Sequence, residues 1–330
     1  MDVTGVAEQL DLGRPTLPPT MLKDDEQNPV WRVETASGPW VVKVIKPWGD
    51  FWLRMSAQSG ALEAAAWDSG VAMPEPHTTE LGEAGLWRPI DGGRYARAVR
   101  FLEGAHPEPP ASEALAGWIG GVVADLARLG VPSDPTVDGD YRTHPQDEWD
   151  DWFEQAERLE VLSADEVRSF RRAVDRANDM VAANRDLWEK KQVMHRDMRF
   201  PNILVGADGP VLLDFDAAGA QLPWWELVQA AFQTAGFGDG SLVPERRIVA
   251  ACVAGYADAG GEVGPADESA FAGMFAGRVG AATWQMWMAC GHRGGSPEFQ
   301  AGFGRMLRES VAAMDVTLAS LPVWTGWLAS

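Results

Sequence analysis

The chain has 330 residues, of which 46% are hydrophobic and 23% are charged, and it carries a formal net charge of −20. This length predicts one large domain or two lobes, and the composition is that of a globular protein, not a disordered one. The acidity argues against a general nucleic-acid binder; it would draw cationic substrates to an acidic cleft, or it serves only to keep the protein in solution.

The first hundred residues predict a small sheet and one helix. The acidic N-terminus, MDVTGVAEQLDLG, has no apolar core and does not predict a signal peptide. Residues 28–46 alternate and are rich in Val and Trp, which predicts a hairpin with a turn at ASGP and a second strand that ends near Lys43. A helix is predicted over 51–69, terminated by Gly70 and Pro74. Two more strands, LWRPI and YARAVRFL, are separated by an Asp-Gly-Gly turn.

The Pro- and Gly-rich segment GAHPEPPAS marks a boundary, so we predict an N-terminal lobe over 1–103 and a C-terminal lobe over 104–330. The second lobe is mainly helical, and Ser163 with Glu166 at capping-box spacing indicates one helix start. No run approaches the ~18 apolar residues of a membrane span. Two isolated cysteines, Cys252 and Cys290, give no disulfide framework or zinc spacing and predict buried free thiols in a reducing compartment.

The one clear β segment of the second lobe, VMHRDMRFPNILVGADGPVLLDFD, carries most of the candidate chemistry. Its two strands are predicted to flank a connection at 206–210, with Asn202 just before the first strand and Asp214 just after the second. A symmetric hairpin places these two residues side by side, roughly 5 Å apart by Cα. Their oxygens suit Mg²⁺ bound together with phosphates, and Asp197 in the preceding loop could accept a hydroxyl proton.

The spacing of these residues matches a phosphoryl-transfer site. That site has the pattern H-R-D-x-x-x-x-N followed by a metal-binding Asp in D-F-G. Residues 195–202 fit the first part with the right spacing, and Asp214-Phe215-Asp216 stands in place of D-F-G. Taken singly, each acid could be a helix cap or a turn residue, and Asp208 in the sequence ADG is assigned to the turn alone. Taken together, these ordinary roles do not account for the spacing.

A site of this kind also needs a lysine that holds the nucleotide phosphates and a helical glutamate that orients it. Lys43 lies in an apolar strand, where a buried ammonium group is costly unless it is paired. Glu63 lies among Ala and Leu in the next helix, so we predict a buried Lys43–Glu63 pair. The alternative is a Glu63 side chain exposed on the helix surface.

Four stretches together resemble the aminoglycoside phosphotransferase and choline kinase-like family of small-molecule kinases. They are NPVWRVETASGPWVVKV, LEAAAWDSGVAMPEP, VRFLEGAHP and MHRDMRFPNILVGADGPVLLDFDAAG, and the likeness spans roughly residues 25–230. The resemblance implies an α+β, bilobal protein-kinase-like fold. A small N-terminal lobe would contain an antiparallel sheet, and a larger C-terminal lobe would be mainly helical.

The resemblance also implies roles for individual residues. Asp197 would be the catalytic base or the acid that orients the hydroxyl group. Asn202 and Asp214 would bind Mg²⁺, and Lys43 and Glu63 would form the pair that orients the phosphates.

On the same resemblance, the backbone near Phe101 and Leu102 would hold the adenine, and His195 would brace the catalytic loop. Two features depart from the family pattern. Arg196 stands where these small-molecule kinases usually have Gly. The loop expected to cover the phosphates, from Lys23 to Asn28, is acidic and has no glycine.

The acceptor site is predicted between the catalytic loop and the C-terminal helices. Trp284 and Trp287 share a helical face, and with Trp224 they could form a wall for a cationic or sugar-like substrate. The ordinary alternative for these tryptophans is core packing. Asp216, the second acid after the predicted metal-binding Asp214, is a further candidate for the acceptor site.

These observations predict a phosphotransferase that uses ATP or GTP with Mg²⁺ and moves the γ-phosphoryl group to a hydroxyl of a small molecule. An antibiotic or amino-sugar-like natural product is the first candidate acceptor, and a small metabolite such as choline, an amino acid alcohol or a nucleoside is the alternative. The rival from another class is a pseudokinase or nucleotide-sensing module, indicated by the glycine-free loop. Neither nucleic acid nor a membrane is an expected partner, and a cytoplasmic location is expected.

Overall fold

The structure is a computed structural model that describes residues 2–23, 28–47, 49–137, 146–237, 243–292 and 294–329. The chain forms two compact units that interleave along the sequence. The first comprises Met1–Glu108, Asp125–Val137 and Gln192–Ala220, and the second comprises Pro109–Ala124, Asp138–Lys191 and Gln221–Ser330. The predicted lobes meet at a single boundary after residue 103, whereas the hairpin with the candidate chemistry belongs to the same compact unit as the first hundred residues.

The helices and strands of the first unit are α1 (Val3–Gln9), β1 (Thr20–Lys23), β2 (Val30–Thr35), β3 (Gly38–Ile45), α2 (Asp50–Asp68), β4 (Arg88–Ile90), β5 (Arg94–Arg100), β6 (Gln192–Met194), β7 (Ile203–Gly206), β8 (Gly209–Leu212) and, at its end, β9 (Gly219–Gln221). Five of these strands form an antiparallel sheet with the order β1-β2-β3-β5-β4, and β7 and β8 form a separate hairpin. The predicted hairpin, helix and two further strands of the first hundred residues are therefore present.

The core of the sheet follows from the alternation of apolar residues in the first hairpin. Val33 in β2 and Val42 and Val44 in β3 are almost fully buried, while their neighbours in each strand are less so. Helix α1 covers this core with Val3 and Val6. Burial of several aliphatic side chains, each contributing about 1.5–3 kcal/mol, holds this helix in place.

Four elements of the first unit were not predicted: α1, β1 and the three-residue strands β6 and β9. Helix α1 has only seven residues, including Gly5, and such short helices depend on tertiary packing for their stability. Strand β1 is exposed along its whole length, so its sequence lacks the alternation that marks a half-buried strand. Its pairing with β2 is a backbone interaction that the side-chain pattern does not report.

The second unit is helical, as predicted for most of the chain after residue 104. Its helices, the first of which continues into the other unit, are α3 (Glu113–Leu129), α4 (Gln146–Arg158), α5 (Ala164–Ala183), α6 (Arg185–Trp188), α7 (Pro223–Thr234), α8 (Arg246–Asp258), α9 (Ala272–Ala289) and α10 (Pro297–Leu328). The predicted capping box is present: Glu166 N–H donates to Ser163 Oγ at 3.3 Å, and Ser163 N–H donates to the Glu166 carboxylate at 2.7 Å. Together the small antiparallel sheet and the helical remainder confirm the predicted α+β class.

Among the described residues, one helix, α10, is long and apolar enough to cross a membrane by length and composition, with a mean hydropathy of 1.2 over its most apolar window. No such segment was predicted. A core helix of a folded domain meets the same test, and α10 buries Leu307, Val311 and Met314 while packing against α5 and α9. The Ser310 hydroxyl on this helix also donates to the Gln285 Oε1 of α9 at 2.8 Å.

The two cysteines of the second unit are free, but they are not equally buried. Cys252 is fully buried, and this burial raises the pKa of its thiol to about 12, so the thiol stays protonated and inert. Cys290 is only half-buried, and burial raises its thiol pKa as well. The prediction of two buried thiols is therefore correct for Cys252 and wrong for Cys290, which ends helix α9 where the chain turns toward the surface.

Candidate active site

His195 fixes the loop that leads from β6 to β7. The imidazole is fully buried, and its two nitrogens have different partners. Nε2 donates to the carbonyl oxygen of Leu213 at 3.0 Å, and Nδ1 accepts from the backbone N–H of Asp197 at 3.3 Å. The ring also packs edge-on against Phe215, with 4.8 Å between centroids. These hydrogen bonds require a neutral imidazole with its proton on Nε2. The contacts on both sides of the ring are consistent with the predicted role of His195 as a brace for the loop.

Burial lowers the pKa of His195, although the nearby Asp197 carboxylate opposes this effect. The folded protein therefore binds a proton at this ring less readily than the unfolded chain, whose histidines titrate near ~6.5. The stability from the neutral ring is present above that pH and is lost as the pH falls below it. We expect the free energy of unfolding of the wild type to decrease as the pH falls from about 8 to about 5.5.

A His195→Asn variant tests this expectation in denaturant unfolding measured across that pH range. The variant should be less stable than the wild type at the upper end but lose less stability as the pH falls, because it has no ring to protonate. His292→Asn, the same substitution at an exposed position, is the matched control for the change of side chain itself. If the free energy of unfolding of His195→Asn depended on pH as steeply as that of the wild type, the proposal that the buried His195 ring is neutral would be refuted.

Asp197 is held by two side chains from its own loop. The Asn202 amide nitrogen donates to the Asp197 Oδ2 at 2.6 Å and to its backbone carbonyl at 2.9 Å. On the other side, Arg199 Nε lies 2.9 Å from Asp197 Oδ1. The carboxylate is thus fixed in orientation while 29% of the side chain stays exposed. A group that reacts with a substrate needs both a fixed orientation and access to it. Because Asn202 commits its amide nitrogen to Asp197, its amide oxygen remains for another ligand.

The β7–β8 hairpin is tighter than predicted, and this shifts its register by one residue. Ile203 pairs with Leu212 and Gly206 with Gly209, so the turn has two residues between paired positions instead of the predicted five-residue connection. Gly209 enables this turn with a φ of +112°. As a result Leu213, not Asp214, lies opposite Asn202, and its N–H donates to the Asn202 carbonyl at 2.8 Å.

Asp214 follows one residue later in a left-handed backbone conformation, with φ +61° and ψ 74°. Aspartate tolerates this region better than most residues. The Lys43 Nζ lies 2.6 Å from its Oδ1. Burial alone would raise the pKa of Asp214, but the charge and hydrogen bond of Lys43 outweigh it and lower the pKa well below its usual range. The carboxylate therefore stays ionised at neutral pH, as a metal ligand must be.

The predicted Lys43–Glu63 pair does not form. Among the described contacts Lys43 bonds Asp214 and Asp216, the latter at 3.1 Å, while the buried Glu63 bonds the guanidinium of Arg97. Sequence reasoning assigned Arg97 no role. Burial of Lys43 works against its charge, but the Asp216 and Asp214 carboxylates outweigh this and raise its pKa.

Asp216 contacts two cations of the five-stranded sheet. Its oxygens lie 3.1 Å from Lys43 and 2.9 Å from Arg97, beside the predicted metal ligands. Asp216 therefore belongs to a charge cluster, and its role in an acceptor site stays a prediction. The cluster consists of Lys43, Glu63, Arg97, Asp214 and Asp216.

A cavity of about 330 Å³ in the first unit is lined by Lys43, Glu63, Arg97 and Asp214 of this cluster and reaches the strand end where adenine was predicted to bind. Phe101 and Leu102 both line it, and the Phe101 N–H donates to the Pro39 carbonyl at 3.0 Å where β5 ends. Its apolar lining includes Val41, Met73, Val99, Leu204 and Leu212, and its polar lining includes Lys43, Asn202 and Asp214. A mostly apolar pocket with a few placed polar groups is the usual form of a small-molecule site.

The donor set suits Mg²⁺ bound together with phosphates. Asn202 presents an uncommitted amide oxygen and Asp214 an ionised carboxylate, both of them on the same cavity. Hard oxygen ligands in small number, completed by phosphate and water, are what Mg²⁺ prefers. Among the described residues, no group of three or more His, Cys, Asp or Glu side chains could hold a metal by itself.

Several predicted residues lie elsewhere or outside the described ranges. The tryptophans belong to the second unit: Trp224 is buried and donates to the Pro265 carbonyl at 3.1 Å, Trp287 packs edge-on against Trp152, and Trp284 is 40% exposed. Their role in an acceptor site stays a prediction. The acidic residues of the predicted phosphate-covering loop, 24–26, lie outside the described residues. Arg196 adopts a left-handed backbone with φ +65°.

The chain matches the family model described as APH, phosphotransferase enzyme family, over residues 20–268. Comparison with curated proteins gives no match.

Among solved structures, the chain is similar to spectinomycin phosphotransferase in complex with ADP and spectinomycin, with 13% identity, 95% of this chain and 98% of that chain covered, and a TM-score of 0.69. It is also similar to a microcompartment-associated aminopropanol kinase, with 20% identity, coverage of 97% and 98%, and a TM-score of 0.65. A third similar structure is amicoumacin kinase in complex with AMP-PNP and Ca²⁺, with 14% identity, coverage of 94% of each chain and a TM-score of 0.60. At sequence identities this low, the structural similarity establishes a shared fold alone.

Proposed function

The chain belongs to the APH family of phosphotransferase enzymes, and on that basis we propose that it transfers the γ-phosphoryl group of ATP to a hydroxyl group of a small molecule. The predicted family resemblance and enzyme class are confirmed by this membership. The observation that carries the proposal is the position of Asp197, which is fixed by the Asn202 amide while the same Asn202 lines a cavity with Lys43 and Asp214.

Asp197 and the polar residues that line the cavity have different proposed roles. Asp197 would accept or orient the proton of the acceptor hydroxyl. Lys43 carries three N–H donors, two of which meet Asp214 and Asp216, so one is left for a phosphate oxygen. Asn202 and Asp214 would hold Mg²⁺, which when bound neutralises charge on the phosphates.

The nucleotide end of the cavity supports ATP as the donor. Phe101 and Leu102 line it together with aliphatic side chains, which suits a purine ring held by backbone groups. The structural neighbours named for ADP and AMP-PNP complexes support an adenine nucleotide, and GTP remains the alternative donor.

For the acceptor we propose an antibiotic or an amino-sugar-like natural product, whose phosphorylation would confer resistance. The similar structures are named for spectinomycin, amicoumacin and aminopropanol. The net charge of −20 favours cationic acceptors over anionic ones. A small metabolite such as choline, an amino acid alcohol or a nucleoside is the alternative acceptor.

A turnover assay with a panel of acceptors tests this function. We expect release of ADP from ATP that depends on an added hydroxylated amine, stops when EDTA removes Mg²⁺, and yields a phosphate monoester visible by phosphorus NMR. Amine-free sugars and nucleosides in the same panel serve as matched acceptors without a positive charge. If no acceptor is phosphorylated while ATP binds to the protein, the proposed transfer reaction is wrong.

A further inference from the structure

Arg97 lies in the middle of β5 with only 6% of its surface exposed. Its register partner in β3 is Lys43, so both side chains project from the same face of the sheet. Like charges directly opposite each other in a sheet repel, and buried charges are costly unless they are paired. This pair of cations can therefore persist only where acids contact both of them.

Three carboxylates meet this requirement through one continuous series of contacts. Arg97 Nη2 donates to Glu63 Oε1, and its Nη1 donates to Asp216 Oδ1 at 2.9 Å. Lys43 Nζ then donates to Asp216 Oδ2 at 3.1 Å and to Asp214 Oδ1 at 2.6 Å. Each Asp216 oxygen thus contacts one cation, and among the described residues Glu63 is linked to Lys43 through Arg97 and Asp216.

The shape of the guanidinium is what makes this linkage possible. Its planar fork directs separate N–H donors to two acids at once, whereas a lysine ammonium is a compact point charge on a flexible chain. The guanidinium is also 5.6 Å from the centre of the Trp87 ring, which adds a cation–π contact. Burial works against the charge of Arg97, but the Glu63 and Asp216 carboxylates outweigh it and raise its pKa.

We propose that Arg97 is a positioning residue of the phosphotransferase site, which ties the helical acid Glu63 to Asp216 and thereby sets Lys43 beside Asp214. The acid that orients Lys43 in this chain is then Asp216, and Glu63 acts on Lys43 indirectly, through Arg97 and Asp216. This role rests on the proposed function, because the placement of Lys43 affects catalysis only where a nucleotide binds.

The direct test is the affinity for a non-hydrolysable ATP analogue, measured by calorimetry on Arg97→Lys. Partners that orient residues in contact with a ligand typically contribute about 10- to 100-fold, so we expect the dissociation constant to rise by ~10-fold or more. The KM for ATP should rise in parallel, while the KM for the acceptor should stay at its wild-type value. Arg94→Lys is the matched control, since Arg94 lies on the same strand and its Nε donates to the turn carbonyl of Asp91, at 3.2 Å, outside the charge cluster.

Asp216→Asn provides a second test that does not disturb a buried residue, because the Asp216 side chain is 37% exposed. It should raise the dissociation constant of the analogue by a similar factor. The double variant with Arg97→Lys should have a dissociation constant no higher than that of the single variant that binds the analogue less tightly. If Arg97 had a purely structural role, Arg97→Lys would instead lower the melting temperature and leave the dissociation constant of the analogue unchanged.

The possible failures are distinguishable. If the wild type binds the analogue and either Arg97→Lys or Asp216→Asn binds it equally well, the positioning role is overturned while the proposed function stands. If the wild type itself binds no nucleotide, the proposed function fails and the role of Arg97 falls with it.

Discussion

Replacing Asp197 by Asn is expected to lower kcat by at least ~10²-fold while leaving nucleotide binding intact. The physical reason is specific to the carboxylate. An amide has nearly the same shape and can still accept the hydrogen bond from Asn202, which lies 2.6 Å away in the wild type, but it cannot accept a proton from the acceptor hydroxyl. The ground-state complex should therefore form normally, and only the chemical step should slow. Two measurements separate the chemical step from nucleotide binding. One is steady-state turnover with an acceptor from the panel that the wild type phosphorylates, and the other is calorimetry of ATP-analogue binding.

Asp208→Asn is the matched control for this prediction. Asp208 undergoes the same chemical change and lies on the hairpin that follows the Asp197 loop, but it is exposed in the turn between β7 and β8. Its variant should have wild-type kcat and affinity. An Asp197→Asn protein with unchanged kcat would refute the role given to Asp197, and one with lost nucleotide affinity would show that the substitution had disturbed the loop.

The catalytic loop could be predicted from the sequence because its geometry is local. His195, Asp197 and Asn202 lie within eight residues of each other, and the short contacts among them follow from one loop conformation. The hairpin after it was predicted to exist but with the wrong turn length. Five polar or small residues in a row, from Gly206 to Pro210, allow several turns, and the choice rests on backbone angles such as the positive φ of Gly209.

The partner of Glu63 could not be predicted, because it depends on contacts between distant parts of the chain. Arg97 is 34 residues from Glu63 and 119 from Asp216. The strand around it also gave a misleading pattern: Ala96, Arg97 and Ala98 are all buried in succession, although alternation predicts that one face of a strand is less buried than the other. A charged residue at such a position signals buried ion pairing only once the opposing strand, with Lys43 in register, is known.

Asp214 is the residue whose loss should most directly affect the metal. Its Asn variant keeps the size of the side chain but removes the negative charge that the structure holds ionised beside Lys43. Because Mg²⁺ prefers charged oxygen ligands, the variant should bind the ion poorly at this position. Metal ions contribute several kcal/mol of transition-state stabilisation, so we expect kcat/KM to fall by at least ~10²-fold.

A binding measurement shows whether this fall arises through the metal. In the wild type the ATP analogue should bind more tightly with Mg²⁺ than with EDTA, and in Asp214→Asn that difference should shrink or vanish. Asp197→Asn and Asp208→Asn should both retain the difference, because neither side chain is assigned to the metal. The comparison separates two acids of one site: Asp197 acts on the acceptor proton, so its loss affects turnover alone, whereas Asp214 acts on the nucleotide phosphates through Mg²⁺, so its loss affects turnover and metal-dependent affinity together. An Asp214→Asn protein that kept the full effect of Mg²⁺ on nucleotide affinity would place the metal ligand elsewhere in the cavity.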